Sequence, residues 1–323
     1  MDEPRHHVGL IAIGRNEGER LVRCLRSVPP GIPVVYVDSA STDGSADFAR
    51  SMNATVAELN MALPFTAARA RNEGLDSLLR TWPDTEYVQF IDGDCELAAD
   101  WLSVASDFLS ANENVAAVCG RRRERYPDAS FYNRMCDDEW NTPVGPAMAC
   151  GGDALMRVKA LTAVHGYDPE MIAGEEPELC QRLRGTGWQI WRLDAPMTVH
   201  DADMHRFGQY WNRTVRSGFG YAQVYQKTSA SGGDELYRRE VYSALFWTIG
   251  VVLIGLLSAS IFGAKGLAIA PLIWLAQLLR LARRQGYVTA LHLLVGKIAE
   301  AQGVFRYIFG RLRGRKSGAI FYK

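Results

Sequence analysis

Several features are missing from this sequence, and each absence excludes a class of protein. The formal net charge is zero, from 36 basic and 36 acidic residues, so no global field points to nucleic acid or to a strongly acidic partner. The six cysteines (Cys24, Cys95, Cys119, Cys136, Cys150, Cys180) are scattered without a Cys-x-x-Cys pair. That suits free thiols in a reducing compartment rather than a disulfide frame or a zinc site. There is no G-x-G-x-x-G loop and no G-x-x-x-x-G-K-[ST] loop, so phosphates would have to be managed by a metal and by arginines. The stretch Met1 to His7 is polar, and no signal peptide is expected from it.

At 323 residues one or two domains are expected. Short apolar runs alternate with helical periodicity through the first hundred residues. Strands are predicted at Val8 to Ile13, Val34 to Val37, Thr55 to Glu58 and Tyr87 to Ile91. Helices are predicted from Glu19 to the Pro29-Pro30 stop, through Phe48, and over Thr66 to Leu79. The order β-α-β-α-β-α-β with short connections implies an α/β fold built on a mostly parallel sheet with helices on both faces. Further on, Val115 to Cys119 and Ile190 to Leu193 read as strands, with Asp194-Ala195-Pro196 as a turn.

Polar clusters follow three of these strands, where open α/β sheets keep their ligands. Gly14-Arg15-Asn16-Glu17 follows the first, Asp38 to Ser45 the second, and Asp92-Gly93-Asp94 the fourth. Asp92 and Asp94 can hold a hard divalent cation through oxygen, or they can form an ordinary polar turn. Asp38 can accept from a base or ribose, or can cap a turn. Arg71 can reach a phosphate, or can pair on the surface with Glu73 or Asp76. Tyr126, Phe131, Tyr132 and Trp140 can stack on a sugar ring, but read rather as cover for a core edge. His200-Asp201-Ala202-Asp203-Met204-His205 is a second acidic pair, flanked by histidines, and competes as a metal site.

The runs Val37 to Gly44, Ala70-Arg71-Asn72-Glu73-Gly74-Leu75, Phe90 to Asp94, Cys150 to Leu155, Gly166-Tyr167-Asp168 and Gly174 to Arg184 come in a recognisable order. In that order they resemble the motifs of family 2 glycosyltransferases with the GT-A fold, over roughly residues 8 to 225. The resemblance implies a nucleotide-diphosphate sugar as donor and a divalent metal, Mn²⁺ or Mg²⁺, between the diphosphate and the aspartates. It implies donor contacts from Arg15, Glu17, Asp38, Arg71, Asp92 and Gly93, with Asp94 and His200 on the metal. Glu176 takes the position of the family's catalytic base, as a longer Glu in place of the usual Asp. Gly152, Asp153 and Glu175 are the acceptor-side candidates; Asp153 could instead cap the following helix. The chemistry agrees, because a departing diphosphate gains negative charge that a cation stabilises.

The carboxyl-terminal part differs in character. Ser243 to Phe262 carries no charge over the length a bilayer core requires. After the break at Gly263-Ala264-Lys265-Gly266, Leu267 to Leu279 is apolar again. Two membrane or re-entrant helices are expected over 236–285, after a catalytic domain over 1–235. The stretch 286–323, with the stripe Val288, Leu291, Leu294, Val295, Ile298, Phe305, Phe309 and a basic end, reads as an interfacial helix on membrane lipids, or as a helix packed on the catalytic domain. Arg280, Arg283 and Arg284 against Lys265 alone in the connecting loop place the catalytic domain on the cytoplasmic face of the cell membrane.

The expected function is therefore inverting, non-processive sugar transfer to a glycan or lipid-linked acceptor. The alternatives are a polyprenyl-phosphate glycosyltransferase, whose R-x-x-G-x-S-K run is not present, a retaining enzyme on the same fold, and a non-catalytic nucleotide-sugar-binding subunit.

Overall fold

The structure is a computed structural model describing residues 7–230 and 234–314. It divides into two compact units on either side of the His205–Arg206 bond. The first unit is built on a nine-stranded sheet. Its front half holds β1 (Val8–Gly14), β2 (Val34–Asp38), β3 (Thr55–Glu58) and β4 (Tyr87–Asp92), all parallel, in the order β3-β2-β1-β4. Helices α1 (Glu19–Arg26), α2 (Ser45–Ser51) and α3 (Ala67–Thr81) make the crossovers. The Thr66 side chain caps α3 by accepting from the Arg69 N–H at 3.1 Å, satisfying a donor the helix itself cannot.

β4 has no solvent face: Val88, Phe90 and Ile91 are fully buried, each contributing roughly 2 kcal/mol of apolar transfer. Its one polar member, Gln89, is also buried, and its Oε1 accepts from the Trp101 indole at 2.7 Å. That bond is why a polar residue is tolerated there.

Beyond β4 the sheet becomes mixed. β5 (Cys95–Leu97), β6 (Val115–Glu124), β7 (Gly145–Ala147), β8 (Ala154–Arg157) and β9 (Gln189–His200) complete it, with α4 (Trp101–Ala111), α5 (Phe131–Glu139), α6 (Val158–Ala163) and α7 (Glu175–Gly185) between them. β8 runs antiparallel to β4 and β6, while β6 and β9 are parallel. The turn expected at Asp194-Ala195-Pro196 is absent, because β9 runs straight through it. Pro196 lies opposite Arg121 where the β6–β9 register shifts, and a bulge tolerates a residue with no N–H to give the ladder.

The second unit is helical: α8 (Phe207–Ala230), α9 (Arg238–Leu245), a π-helical turn, α10 (Val251–Phe262), a 3₁₀ turn, α11 (Ile269–Gln285) and α12 (Tyr287–Leu312). The expected boundary near 235 thus sits inside this unit, because α8 packs on α12 rather than ending the α/β part. Small residues make that packing possible. A Cβ at Gly218 would lie 2.0 Å from the Glu300 carbonyl oxygen, and one at Gly303 would lie 2.1 Å from that of Val215. The Trp211 indole donates to Gln302 Oε1 at 2.9 Å across the same pair.

The pairs Trp247–Trp274, Gly255–Ala270 and Ser258–Gly266 are nested, so α10 and α11 fold back on each other as a hairpin. Arg238–Gln285 is long and apolar enough to cross a membrane. α11, with 17 residues, is roughly 25 Å long against a bilayer core of about 30 Å. The apolar stripe of α12 does not make the packed face. Val288, Leu291, Ile298 and Phe309 are exposed, while Ala290, Gly296, Ala299 and Gly303 are buried. The basic residues Arg315, Lys316 and Lys323 lie outside the described residues.

Candidate active site

Strand register assembles the site. Gly14 pairs with Asp38 on one side, and Ile13 with Asp92 on the other, so the polar ends of β1, β2 and β4 stand side by side. The Asp92-Gly93-Asp94 turn is pinned from three directions. The Gly93 N–H donates to the Ile13 carbonyl at 2.8 Å, the Asp92 N–H to Asp153 Oδ1 at 3.1 Å, and the Asp201 N–H to the Asp94 carbonyl at 3.2 Å.

On the β2 side, Asp38 is buried and accepts from the Ser41 N–H at 2.9 Å and from the Tyr36 hydroxyl at 3.1 Å. It therefore organises its own turn, whatever else it binds. Arg15 is exposed after β1, and Glu17 pairs with Arg20 at 3.0 Å while its Cγ lies against Gly93.

Arg71 is the hinge of the cluster. The surface pairing with Glu73 or Asp76 is not what forms. The guanidinium is buried, with Nη2 on Asp92 Oδ1 at 2.8 Å and Nη1 on Glu175 Oε1 at 2.7 Å. It also lies over the Tyr167 ring at 5.6 Å. One cation thus ties β4 to the start of α7. Gly152 leaves room for it, since a Cβ there would stand 2.9 Å from Arg71 Nη2 and 3.2 Å from Asp92 Oδ2. Burial pushes the Asp92 carboxyl above its ordinary range; Arg71 opposes the shift, and Asp153 and Asp94 reinforce it. Such a crowd of carboxylates favours any added cation.

Asp153 does not cap α6, whose cap position is Arg157. It is completely buried, paired with Arg122 Nη2 at 2.8 Å, and accepts from Thr198 Oγ1 at 2.8 Å. Its carboxylate is therefore turned inward under the aspartate turn, among protein partners. Glu176 is also buried. Its Oε1 accepts from the Cys150 N–H and from Cys180 Sγ.

The corner that could hold a cation comes from a different pairing. β5 runs antiparallel to β9 with Cys95 opposite His200, which brings His200 Nε2 to 3.3 Å from Asp94 Oδ2. Glu124 Oε2 stands behind, 3.9 Å from Nδ1. Burial works against the imidazolium, yet Asp94 and Glu124 outweigh it and raise the His200 pKa. The corner is thus electronegative, with oxygen and imidazole donors and the buried Cys95 thiol beside them. Such a set suits Mn²⁺ or Mg²⁺, and the carboxylate behind the histidine is a usual second support.

The competing acidic pair is used elsewhere: Asp201 binds Arg23 at 3.1 Å, and Asp203 is exposed beside His205 at 3.2 Å.

Of two further neighbours, Arg122 has no role in the sequence reading and Trp140 that of core cover. Arg122 holds Asp153 and lies over Trp140 at 5.5 Å, and Trp140 packs edge-on to His200 at 4.8 Å. The run Arg121-Arg122-Arg123 held a signal for this. Strand alternation separates its middle member, so Arg121 and Arg123 both reach Asp137 while Arg122 turns to Asp153.

Comparison with known proteins gives one consistent answer. Residues 11–161 match the family described as Glycosyl transferase family 2. Succinoglycan biosynthesis protein ExoA of Rhizobium meliloti (strain 1021) is 25% identical over 221 residues, a match spanning 64% of this chain and 64% of that protein. Among solved structures, the mannosyltransferase PcManGT from Pyrobaculum calidifontis, in complex with GDP-Man and Mn²⁺, superposes with a TM-score of 0.64 at 21% identity. That match covers 93% of this chain and 87% of PcManGT. GalNAc-T7 with UDP, GalNAc and Mn²⁺ follows at a TM-score of 0.50 and 13% identity, covering 77% of this chain and 52% of that one. Motifs, sheet order and relatives thus agree: residues 11–161 match the family 2 glycosyltransferases, and the fold is similar to the GT-A fold of PcManGT.

Proposed function

We propose that this protein transfers a hexosyl group from a nucleotide-diphosphate sugar to a glycan or lipid-linked acceptor, with inversion and one sugar at a time. The observation that carries the reading is the meeting of Asp94 with His200 at 3.3 Å, next to an Asp92 tied through Arg71 to Glu175. In PcManGT and GalNAc-T7 the complexes contain a sugar nucleotide, or a nucleotide and a sugar, with Mn²⁺, and the same chemistry is assigned here. Asp94 and His200 would hold the divalent cation, with Asp92 beside it. Bound there, the cation supplies Lewis-acid stabilisation to the leaving diphosphate.

The remaining roles fall to the chain itself. Asp38, Arg15 and Glu17 border the donor's nucleoside end. Arg71 fixes Asp92 and Glu175 so that the donor and acceptor sides keep one geometry. Glu176 takes the proton from the acceptor hydroxyl, an act that requires a carboxylate within hydrogen-bond reach. Its Oε1 is anchored by Cys150 and Cys180, which leaves Oε2 for the proton.

The helical unit would anchor the enzyme in a membrane, with the catalytic unit on the cytoplasmic side. Support comes from its inverted packing, in which glycines and alanines are buried and Leu253, Leu257, Ile261 and Phe262 are exposed. Helices in lipid associate in that way.

The test is a screen of nucleotide sugars with purified full-length protein, reading release of nucleoside diphosphate. Release that stops on chelation and returns with Mn²⁺ is expected. Metal-independent release, or tight donor binding with no release across lipid-linked and glycan acceptors, would refute the proposal.

A further inference from the structure

A second group of side chains with metal-ligating atoms includes the candidate base itself. Cys150, Glu176 and Cys180 each present one ligand atom, and these atoms all fall within 4.8 Å of one another. Cys150 Sγ and Cys180 Sγ are 3.6 Å apart, and Glu176 Oε1 is 2.8 Å from Cys180 Sγ. Two sulfurs bound tetrahedrally to zinc at 2.3 Å stand about 3.8 Å apart, so the thiols already have the spacing of a sulfur-bound cation. The carboxylate oxygen would need to retreat by about 0.7 Å to reach its own tetrahedral separation.

A third thiol, Cys119 of β6, is near enough to feel the charge of Glu176. Because the donors come from a strand, a loop and a helix, no Cys-x-x-Cys spacing announces them in the sequence. The three thiols are free. Burial raises Cys180 to about 11, and its hydrogen bond with Cys180 together with burial raises Cys150 well above the ordinary thiol range. Protonated, buried thiols are poor partners for oxidants, which argues against a disulfide. A strongly thiophilic cation can displace those protons. Cys150, itself buried, adjoins the exposed Gly151, so the loop is the side nearest solvent.

We propose that Cys150, Cys180 and Glu176 form a second cation site, for a thiophilic divalent ion of the zinc class, and that an ion on Glu176 Oε1 draws charge from the carboxylate, weakens Oε2 as a base and so inhibits the enzyme. The two cation sites differ in hardness. The first corner offers the Asp94 oxygen, the His200 imidazole and one thiol, Cys95, whereas this one offers two sulfurs and one oxygen, so the more thiophilic ion favours the second. The inhibitory half rests on the role proposed above for Glu176; the binding half does not.

The test uses the full-length protein. Titration with Co²⁺ should produce a thiolate-to-cobalt charge-transfer absorption, saturating at about one equivalent and abolished by Zn²⁺. Cys180→Ser, which keeps a hydroxyl donor for Glu176, and Cys150→Ser should each lose the band. Cys95→Ser, beside the other corner, should keep it. With Mn²⁺ saturating, Zn²⁺ should inhibit nucleoside diphosphate release, and the concentration needed should rise by about tenfold or more in Cys180→Ser, measured against that variant's own rate. The absence of a sulfur-to-cobalt band in the unmodified protein, or its survival in both cysteine variants, overturns the site. A band without inhibition overturns the inhibitory half and counts against Glu176 as the base. A normal band in a protein that releases no diphosphate from any donor leaves the site standing and overturns the glycosyl-transfer reading instead.

Discussion

Replacing Arg71 by Met tests the centre of the site most directly. The guanidinium is nearly inaccessible and bridges Asp92 at 2.8 Å and Glu175 at 2.7 Å. Met fills most of the same volume, so the perturbation is chiefly loss of charge and of two hydrogen bonds. Breaking a buried pair by removing one partner leaves the other uncompensated, and typically costs about 3–5 kcal/mol. For a unit of this size each kcal/mol lowers Tm by roughly 2–4 °C, so a fall on the order of 10 °C is expected in a thermal melt.

The double variant Arg71→Met with Glu175→Gln should recover part of that loss, because one stranded charge is gone. A coupling of about 1 kcal/mol or more between the two positions should appear in the mutant cycle. Nucleoside diphosphate release should fall in Arg71→Met even well below its Tm, since Asp92 and the start of α7 are no longer held to each other. Arg71→Lys, with one ammonium in place of a two-pronged donor, should be intermediate. A melt unchanged within about 1 °C, with no coupling to Glu175, would refute the bridging role of Arg71.

Three further outcomes follow from the geometry. Asp94→Ala should lower metal-dependent diphosphate release by about a thousandfold or more, a loss of several kcal/mol of transition-state stabilisation. Asp203→Ala, exposed and paired with His205, should stay within about twofold; the reverse pattern would reassign the metal. Gly218→Ala places a methyl group 2.0 Å from the Glu300 carbonyl oxygen, so α8 and α12 must separate. A loss of at least about 1–3 kcal/mol is expected, read by denaturant unfolding, and an unchanged midpoint would contradict the packing. Burial alone would raise Asp137, but the Glu124 N–H, Arg123 and Arg121 overcome it and hold the carboxyl below its ordinary value. Its stabilisation is thus full above the unfolded pKa of about 3.9 and disappears as pH falls through the lower folded value. Asp137→Asn should flatten the acid limb of the stability–pH curve, and an unaltered limb would show that the pairing contributes nothing.

Much of the front half of the fold was readable because its information is local. Apolar runs without alternation give strands buried on both faces, and helical periodicity between them dictates parallel crossovers. Polar residues at strand ends must then gather at one sheet edge. β4 and its aspartates are the clear case, since Tyr87 to Ile91 can be little else than a central strand. The family resemblance was legible for the same reason, as an ordered series of short local runs. The free state of the cysteines and the apolar character of Ser243 to Phe262 likewise needed only composition and length.

Tertiary structure decided which side chains meet. Arg71 pairs with Glu175 across more than a hundred residues rather than with Glu73 or Asp76, because α3 and α7 converge beside β4. His200, and not Asp203, faces Asp94 because the β5–β9 register puts Cys95 opposite His200; a shift of one residue would turn that side chain to the other face. Asp153 is withdrawn beneath the turn by Arg122, a partner no spacing rule names. The face by which α12 packs escaped periodicity, because hydrophobicity marks large side chains while the close approach to α8 depends on small ones. Sequence pattern therefore determined the strands, their polar ends and the kind of chemistry. Long-range register and packing alone determined the pairs that make a site of them.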